Sequence, residues 1–373
     1  MKNAYYLFLC GYKEIENEYT GILKKFKMQC AEFSKYYNIQ FIPVYETKHN
    51  SPVYKFTRRL IWNSADRNYD EILDQMDNPL FIYIRRTTAD KKLIAFLRSI
   101  KERWPNCKTI VEFYTYPYEK DEYKSLPGKL SMIKDRVYRT KYNRYVDRIV
   151  TYTKDSEIFG VKTITSLNGV DTNTFFAITA RPEDHEVHLL AVAMFQKHHG
   201  YERIIEGMHR YYSSGGNRVV KLLLVGDGPE IGLYQELVEK YDLSRNVKFY
   251  GRLQGEPLNE LYNSADIGLG TFGFYKIGLN SASSLKTKEY LAKGLPVAAG
   301  CVEDFVQDND RKYYIDFPND DTPVDIEKLI VFHDGIYKQS SSRQEIANSI
   351  HKYAEQTVSM EIALQPIIKY IGN

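Results

Sequence analysis

Short apolar runs rich in β-branched and aromatic residues alternate along the chain with longer stretches whose apolar positions recur at helical spacing. That alternation is the pattern of parallel βαβ units, in which strands are buried on both faces. In the first half the strand-like runs are Tyr5 to Cys10, Ile39 to Tyr45, Leu80 to Ile84, Thr109 to Phe113 and Arg148 to Tyr152. Between the first two, Ile22, Phe26, Cys30, Phe33 and Tyr37 keep one helical face after a Thr20-Gly21 start. In the second half the runs are His188 to Met194, Lys221 to Val225, Val247 to Tyr250, Asp266 to Leu269, Pro296 to Ala299 and Tyr313 to Phe317. The pattern predicts two doubly wound α/β domains, residues 1–172 and 173–355, with the terminal helix 356–373 a candidate to pack back on the first. Asn168-Gly169 and the polar stretch Ala180 to Glu186, which carries Pro182, are read as the hinge.

Length agrees, since 373 residues exceed what one core sustains. With 43% hydrophobic and 27% charged residues the chain is globular rather than disordered or fibrous. Its four cysteines are scattered, with no disulfide or zinc spacing, which fits a cytoplasmic setting. The apolar run Ala4 to Cys10 is too short for a signal core or a membrane span and reads as a buried strand.

A net charge of +3 does not imply nucleic acid, but basic residues cluster in the first half. Lys24, Lys25 and Lys27 form one group, Lys55, Arg58 and Arg59 lie among Tyr54, Phe56 and Trp62, and a third runs through Lys129, Lys134, Arg136, Arg139, Lys141 and Arg144. These are solvated helix faces, or they meet an anionic membrane surface or a phosphate-bearing acceptor.

From Asn168 onward the chain reads NGVD with Phe175, VGDGPE at Val225 to Glu230, FYGRL at Phe249 to Leu253, SADIGLG at Ser264 to Gly270, and SSLKTKEYLAKGLPVAAG at Ser283 to Gly300. In this order the set resembles the C-terminal domain of the retaining family four glycosyltransferases of the GT-B fold. VEFYTYPYEKDEY at Val111 to Tyr123 is similar to a stretch of bacterial capsular and exopolysaccharide glycosyltransferases. The resemblance implies two Rossmann-like domains facing a central cleft, and a UDP- or GDP-linked sugar as donor. It also implies a saccharide or lipid-diphosphate acceptor in surface polysaccharide synthesis, and retention of anomeric configuration.

A diphosphate leaving group held without metal needs backbone N–H groups at a helix start and one or two cations. Small, polar residues from Gly278 to Ser284 run into Leu285, Lys286 and a helix ended by Gly294-Leu295-Pro296, so Ser283, Ser284, Leu285 and Lys286 are donor-site candidates. An ordinary capped helix is the other reading. Glu289, one turn in, lies on the face toward a ribose, the role of the family's glutamate at this place. The family carries another glutamate eight positions earlier, contacting the donor sugar; here the position is Ser281. After the strand ending at Met194, the family shows an arginine and a lysine that reach the phosphates. This chain has Met194 and a histidine, His198 or His199, leaving Lys197 and Arg203 as the cations. Lys197, Arg203 and Glu289 are therefore the catalytic candidates, with Arg252 and Leu253 edging the base pocket and Gly21 giving a close backbone approach. Glu112, Thr115 and Tyr116 follow a strand whose carboxyl end should face the acceptor.

Gly226, Gly228 and Gly232 resemble a dinucleotide turn, but the next strand runs into Gly251-Arg252 instead of an acidic ribose ligand, which argues against an NAD-dependent dehydrogenase. Asp308-Asn309-Asp310 spells a metal-binding pattern and reads here as a turn. His185 and His188 have zinc-like spacing without partnering cysteines. No cofactor or metal is expected. A noncatalytic GT-B-like nucleotide- or sugar-binding module stays open, because Ser281 and Met194 stand where active relatives carry charge.

Overall fold

The computed structural model describes the chain except residues 10–20, 48–50, 120–124, 176, 181–184, 307–310, 339–341 and 373, and the side chains of 21–24. Thr20 and Asp308 to Asp310 thus lie outside the described residues. The chain forms two compact units, residues 1–167 with 360–373, and 168–359.

In the first unit the strands are β1 (Asn3–Leu9), β2 (Asn38–Val44), β3 (Phe81–Arg85), β4 (Lys108–Phe113), β5 (Arg148–Thr151), β6 (Glu157–Ile158) and β7 (Val161–Thr165). They form one sheet in the order β2-β1-β3-β4-β5-β7-β6, parallel except for the β6–β7 pair. The helices are α1 (Gly21–Ser34), α2 (Pro52–Thr57), α3 (Tyr69–Gln75), α4 (Lys91–Arg103), α5 (Leu126–Arg139) and α6 (Tyr142–Tyr145). The local sequence explains α4: the Asp90 side chain accepts the Leu93 N–H at 2.9 Å, and Leu93, Ile94, Phe96, Leu97 and Ile100 are buried. That face supplies roughly 10 kcal/mol of apolar burial before chain entropy is subtracted. On the sheet's other face α1 packs Phe26 and Phe33 against Tyr6, Phe81 and Tyr83, joined by Met360, Leu364 and Ile367 of the terminal helix.

The second unit has β8 (Glu186–Met194), β9 (Val219–Asp227), β10 (Val247–Phe249), β11 (Ile267–Leu269), β12 (Ser281–Ala282), β13 (Val297–Ala299), β14 (Val302–Glu303) and β15 (Tyr314–Asp316). Six of these make a parallel sheet in the order β10-β9-β8-β11-β13-β15, the doubly wound arrangement with β8 at its centre. β12 and β14 pair separately. The helices are α7 (Glu202–Ser213), α8 (Ile231–Lys240), α9 (Glu256–Ser264), α10 (Leu285–Ala292), α11 (Ile326–Tyr337) and α12 (Arg343–Thr357); α13 (Met360–Gly372) closes the chain on the first unit.

Of the two stretches expected as the hinge, Asn168-Gly169 and Ala180 to Glu186, residues 181–184 lie outside the described residues. The units divide between Leu167 and Asn168, and Ile178 and Ala180 bond to Lys293 and Gln344 of the second unit. The glycine turn after β9 has a packing role: Gly226 has φ +132°, and a Cβ there would sit 1.8 Å from the Ala193 carbonyl oxygen.

Candidate functional site

In a doubly wound sheet ligands sit outside the carboxyl ends of the strands where the order reverses, here between β8 and β11. After β8 the chain makes one tight turn, Lys197–His199, and ends it at Gly200 with φ +69°. A Cβ at Gly200 would meet the Gly273 backbone nitrogen at 2.6 Å, so only glycine lets this loop lie against the one after β11. The Phe272 N–H donates to the His199 carbonyl at 2.8 Å and locks the two loops together. The Gln196 N–H donates to Nδ1 of His199 at 2.8 Å, which leaves the ring proton on Nε2. Burial first, then the Lys286 and His198 charges, push this histidine down to about 2, so it is neutral.

The start of α10 adds the second component. Its N-cap residue, Ser284, makes no side-chain cap. Instead the Ser284 N–H donates to Glu303 of β14 at 3.0 Å. Beneath it Lys288, fully buried, pairs with Asp304 at 2.7 Å and donates to the Ser283 hydroxyl at 3.0 Å. Burial raises Glu303 to about 7, against the opposing pull of Lys288 and with a further push from Asp304. Lys286 lies on the other side of the turn, its ammonium 3.2 Å from the Tyr201 hydroxyl. That hydroxyl gives its own proton to the Leu269 carbonyl at 3.2 Å, so it meets the lysine as an acceptor. Burial lowers Lys286 to about 7, with Glu303 pulling the other way, and it makes no ion pair among the described residues. The result is a cation with no ion pair among the described residues, beside uncapped helix N–H groups and a neutral histidine, an arrangement suited to an anion.

The candidates separate accordingly. Lys286, Ser284 and Leu285 stand at the helix start, and Glu289 is half-buried one turn on. Lys197 is exposed on the turn after β8. Arg203 is corrected: it is 1% exposed, and its guanidinium commits three of its five N–H groups to the carbonyls of Thr322 at 2.6 Å, Pro318 at 2.9 Å and Phe272, which holds it inside the fold. The Ser283 hydroxyl is likewise spent, donating to Asp304 at 2.5 Å while accepting the Asn168 N–H at 3.1 Å. Arg252 is exposed with Asp227 3.7 Å away, and Leu253 packs on the core.

In the first unit Gly21 opens α1. Glu112 is corrected as an acceptor contact. It is fully buried and pairs with Lys25 at 2.9 Å. Burial pulls its pKa up, but Lys25, Arg85 and hydrogen bonds from Tyr152 and Lys25 outweigh that and hold it at about 2. Thr115 and Tyr116 are half-buried, Tyr116 edge-on to Phe159 at 6.0 Å. Among the described residues no group of three or more His, Cys, Asp or Glu is placed to hold a metal ion; His188 instead bonds Glu186 and the Ser264 carbonyl. Sequence reasoning missed Tyr201 as well as Lys288, Glu303 and Asp304, the last two lying on or beside a two-residue strand too short to show periodicity.

With this geometry in view, residues 171–330, somewhat under half of the chain, match the family model for glycosyl transferases group 1. The fold is that of GT-B glycosyltransferases, by likeness to several solved structures. A glycosyltransferase from Rickettsia africae ESF-5 superposes with TM-score 0.62 at 12% identity over 99% of this chain and 97% of that one. Anabaena HepE in complex with UDP-glucose gives 0.60 at 14% identity, covering all of both chains. The lipopolysaccharide outer core galactosyltransferase WaaB, in its apo form, gives 0.58 at 12% identity over 99% and 100%. No curated protein matches the chain by sequence.

Proposed function

We propose that the protein transfers a sugar from a nucleotide-diphosphate donor, UDP-linked in view of the UDP-glucose complex of HepE, to a saccharide or lipid-diphosphate acceptor of a bacterial surface polysaccharide. The carrying observation is the unpaired, half-buried Lys286 at the start of α10. In this reading Lys286, the α10 N–H groups and His199 hold the diphosphate, replacing the arginine and lysine of relatives, and Lys197 is an outer cation. Glu289 contacts the ribose, and Arg252 and Leu253 edge the base. Transfer retains configuration, the leaving phosphate helping to deprotonate the acceptor, and needs no divalent metal.

The test is a panel of sugar nucleotides assayed for slow hydrolysis in the presence of EDTA. Turnover of at least one UDP-sugar is expected, weakened by Glu289→Ala. Binding without turnover on any donor would favour the noncatalytic reading raised by Ser281 and Met194, and recovery only with manganese would overturn metal independence.

We further propose reversible attachment to anionic membranes through the first unit. No helix among the described residues is long and apolar enough to cross a membrane. Trp62 is 74% and Phe56 53% exposed, next to Lys55 and Arg59. Five cations of the basic groups drop out. Arg58 pairs with Glu46, Lys25 with Glu112, Arg136 and Arg139 with Glu119, and buried Lys134 donates to the Arg58 carbonyl. Each remaining cation near an anionic surface contributes about 1 kcal/mol, screened by salt. Cosedimentation with anionic but not neutral vesicles is expected, lost in high salt and in a Lys55→Glu, Arg59→Glu double variant. Equal partitioning onto both vesicle types would reject the idea.

A further inference from the structure

The first unit's sheet has its own switch point, between β1 and β3, whose connections leave in opposite directions along the order β2-β1-β3-β4. At the carboxyl end of β3 stands Arg85, in register with Glu112 of β4 and one step beyond the Leu7–Ile84 pair that joins β1 to β3. Strand alternation puts Arg85 on the face shared by Tyr6 and Tyr83, which α1 covers.

Among the described residues the charges on this face do not balance. Glu112 is held as a carboxylate at about 2, with burial opposed by Lys25 and Arg85, and its close ion pair is with Lys25 at 2.9 Å. Its oxygens also take hydrogen bonds from Tyr152 and, at 3.3 Å, from Tyr6. Among the described residues Lys25 and Glu112 offset one another, and one positive charge remains. It belongs to Arg85, which is 7% exposed and makes neither an ion pair nor a hydrogen bond from its side chain among the described residues. Its guanidinium lies 4.4 Å from the Tyr114 ring and 5.4 Å from that of Phe8, and Nη1 is buried with no acceptor. Ring faces offset part of the cost of burying the ion, but they leave its N–H fork unused. A guanidinium fork matches the geometry of a phosphate.

We infer that Arg85 anchors an anion site at this switch point, and that the acceptor sugar or lipid presents a phosphate to it. The site stands on the geometry of the first unit alone; its assignment to the acceptor rests on the transfer reaction proposed above.

The experiment uses the full chain carrying 15N-arginine, with no nucleotide present. The Nε–Hε resonance missing from the Arg85→Lys spectrum identifies Arg85, and Arg85→Gln serves if the lysine variant does not fold. Inorganic phosphate should move that resonance along a saturating curve, while chloride at equal ionic strength leaves it in place. Glucose 1-phosphate and phosphatidic acid vesicles then distinguish a soluble from a lipid-borne phosphate, each against its phosphate-free counterpart, glucose or phosphatidylcholine. An Arg85 resonance that ignores phosphate, or follows chloride equally, overturns the site. A silent Arg85 leaves the donor site of the second unit intact, and failure to bind UDP-sugars leaves the Arg85 result standing.

Discussion

Replacing Lys286 by methionine is expected to raise the melting temperature of the free protein and, in the same molecule, to remove most of its affinity for a nucleotide sugar. Both effects have one cause. Burial, partly countered by Glu303, lowers this ammonium to about 7, well below the ordinary lysine value. Between that value and the unfolded lysine pKa the unfolded chain holds more protons than the folded one, so stability rises with pH across the window. At neutral pH and below, the folded protein bears the cost of the buried charge, and methionine, of similar length, relieves it. Donor binding runs the other way. A charge-assisted contact to phosphate is worth about 1.5–3 kcal/mol, so the variant should bind roughly 10- to 150-fold more weakly. Wild-type affinity should be greatest below pH 7 and fall as the lysine loses its proton. Glu303, raised to about 7 by burial, ionises over the same range and adds to the decline. Lys286→Arg should flatten the lysine part of the profile and Glu303→Gln the carboxylate part. Calorimetric affinity unchanged in the methionine variant would remove Lys286 from the donor site, and a lowered melting temperature would contradict the desolvation argument.

How much of this was legible in the sequence depended on the length of the elements. The long strands were read nearly in place, β8 as His188 to Met194 against Glu186–Met194 and β4 as Thr109 to Phe113 against Lys108–Phe113, because strands covered on both faces are continuous apolar runs. The edge of the first sheet was missed: β7 is VKTIT, with Thr163 and Thr165 at every second position, and β6 is two residues long. The start of α10 was legible from Ser284 through Glu289, but not the buried layer beneath it. Lys288 pairs with Asp304 across 16 positions of sequence through the β12–β14 bridge, and no local pattern encodes that approach. Lys25 was read among the basic groups of the surface, and Arg203 and Glu112 as contacts to ligands, because charged residues are seldom fully buried. All three are almost wholly buried instead.

Arg203 gives the sharpest test of that failure. Its side chain joins the start of α7 to Phe272 after β11 and to the Pro318 and Thr322 carbonyls after β15, and its own carbonyl accepts the Val324 N–H at 2.9 Å. Burial lowers its pKa, with Asp320 at 3.7 Å partly compensating, yet guanidinium stays charged at any ordinary pH. Arg203→Ala would strand three carbonyl oxygens next to a cavity. Each unsatisfied buried acceptor costs about 1–3 kcal/mol, so a loss of roughly 3 kcal/mol or more is expected, read as a fall in the urea midpoint with little change in slope. Lysine should recover little, because one ammonium on a flexible stem cannot span acceptors arranged for a planar fork. In the cold, where the variant remains folded, calorimetry should find its affinity for a nucleotide sugar close to that of the wild type. The opposite pattern, normal stability with affinity lost, would return Arg203 to the phosphate and mean that its carbonyl contacts give way when the donor binds.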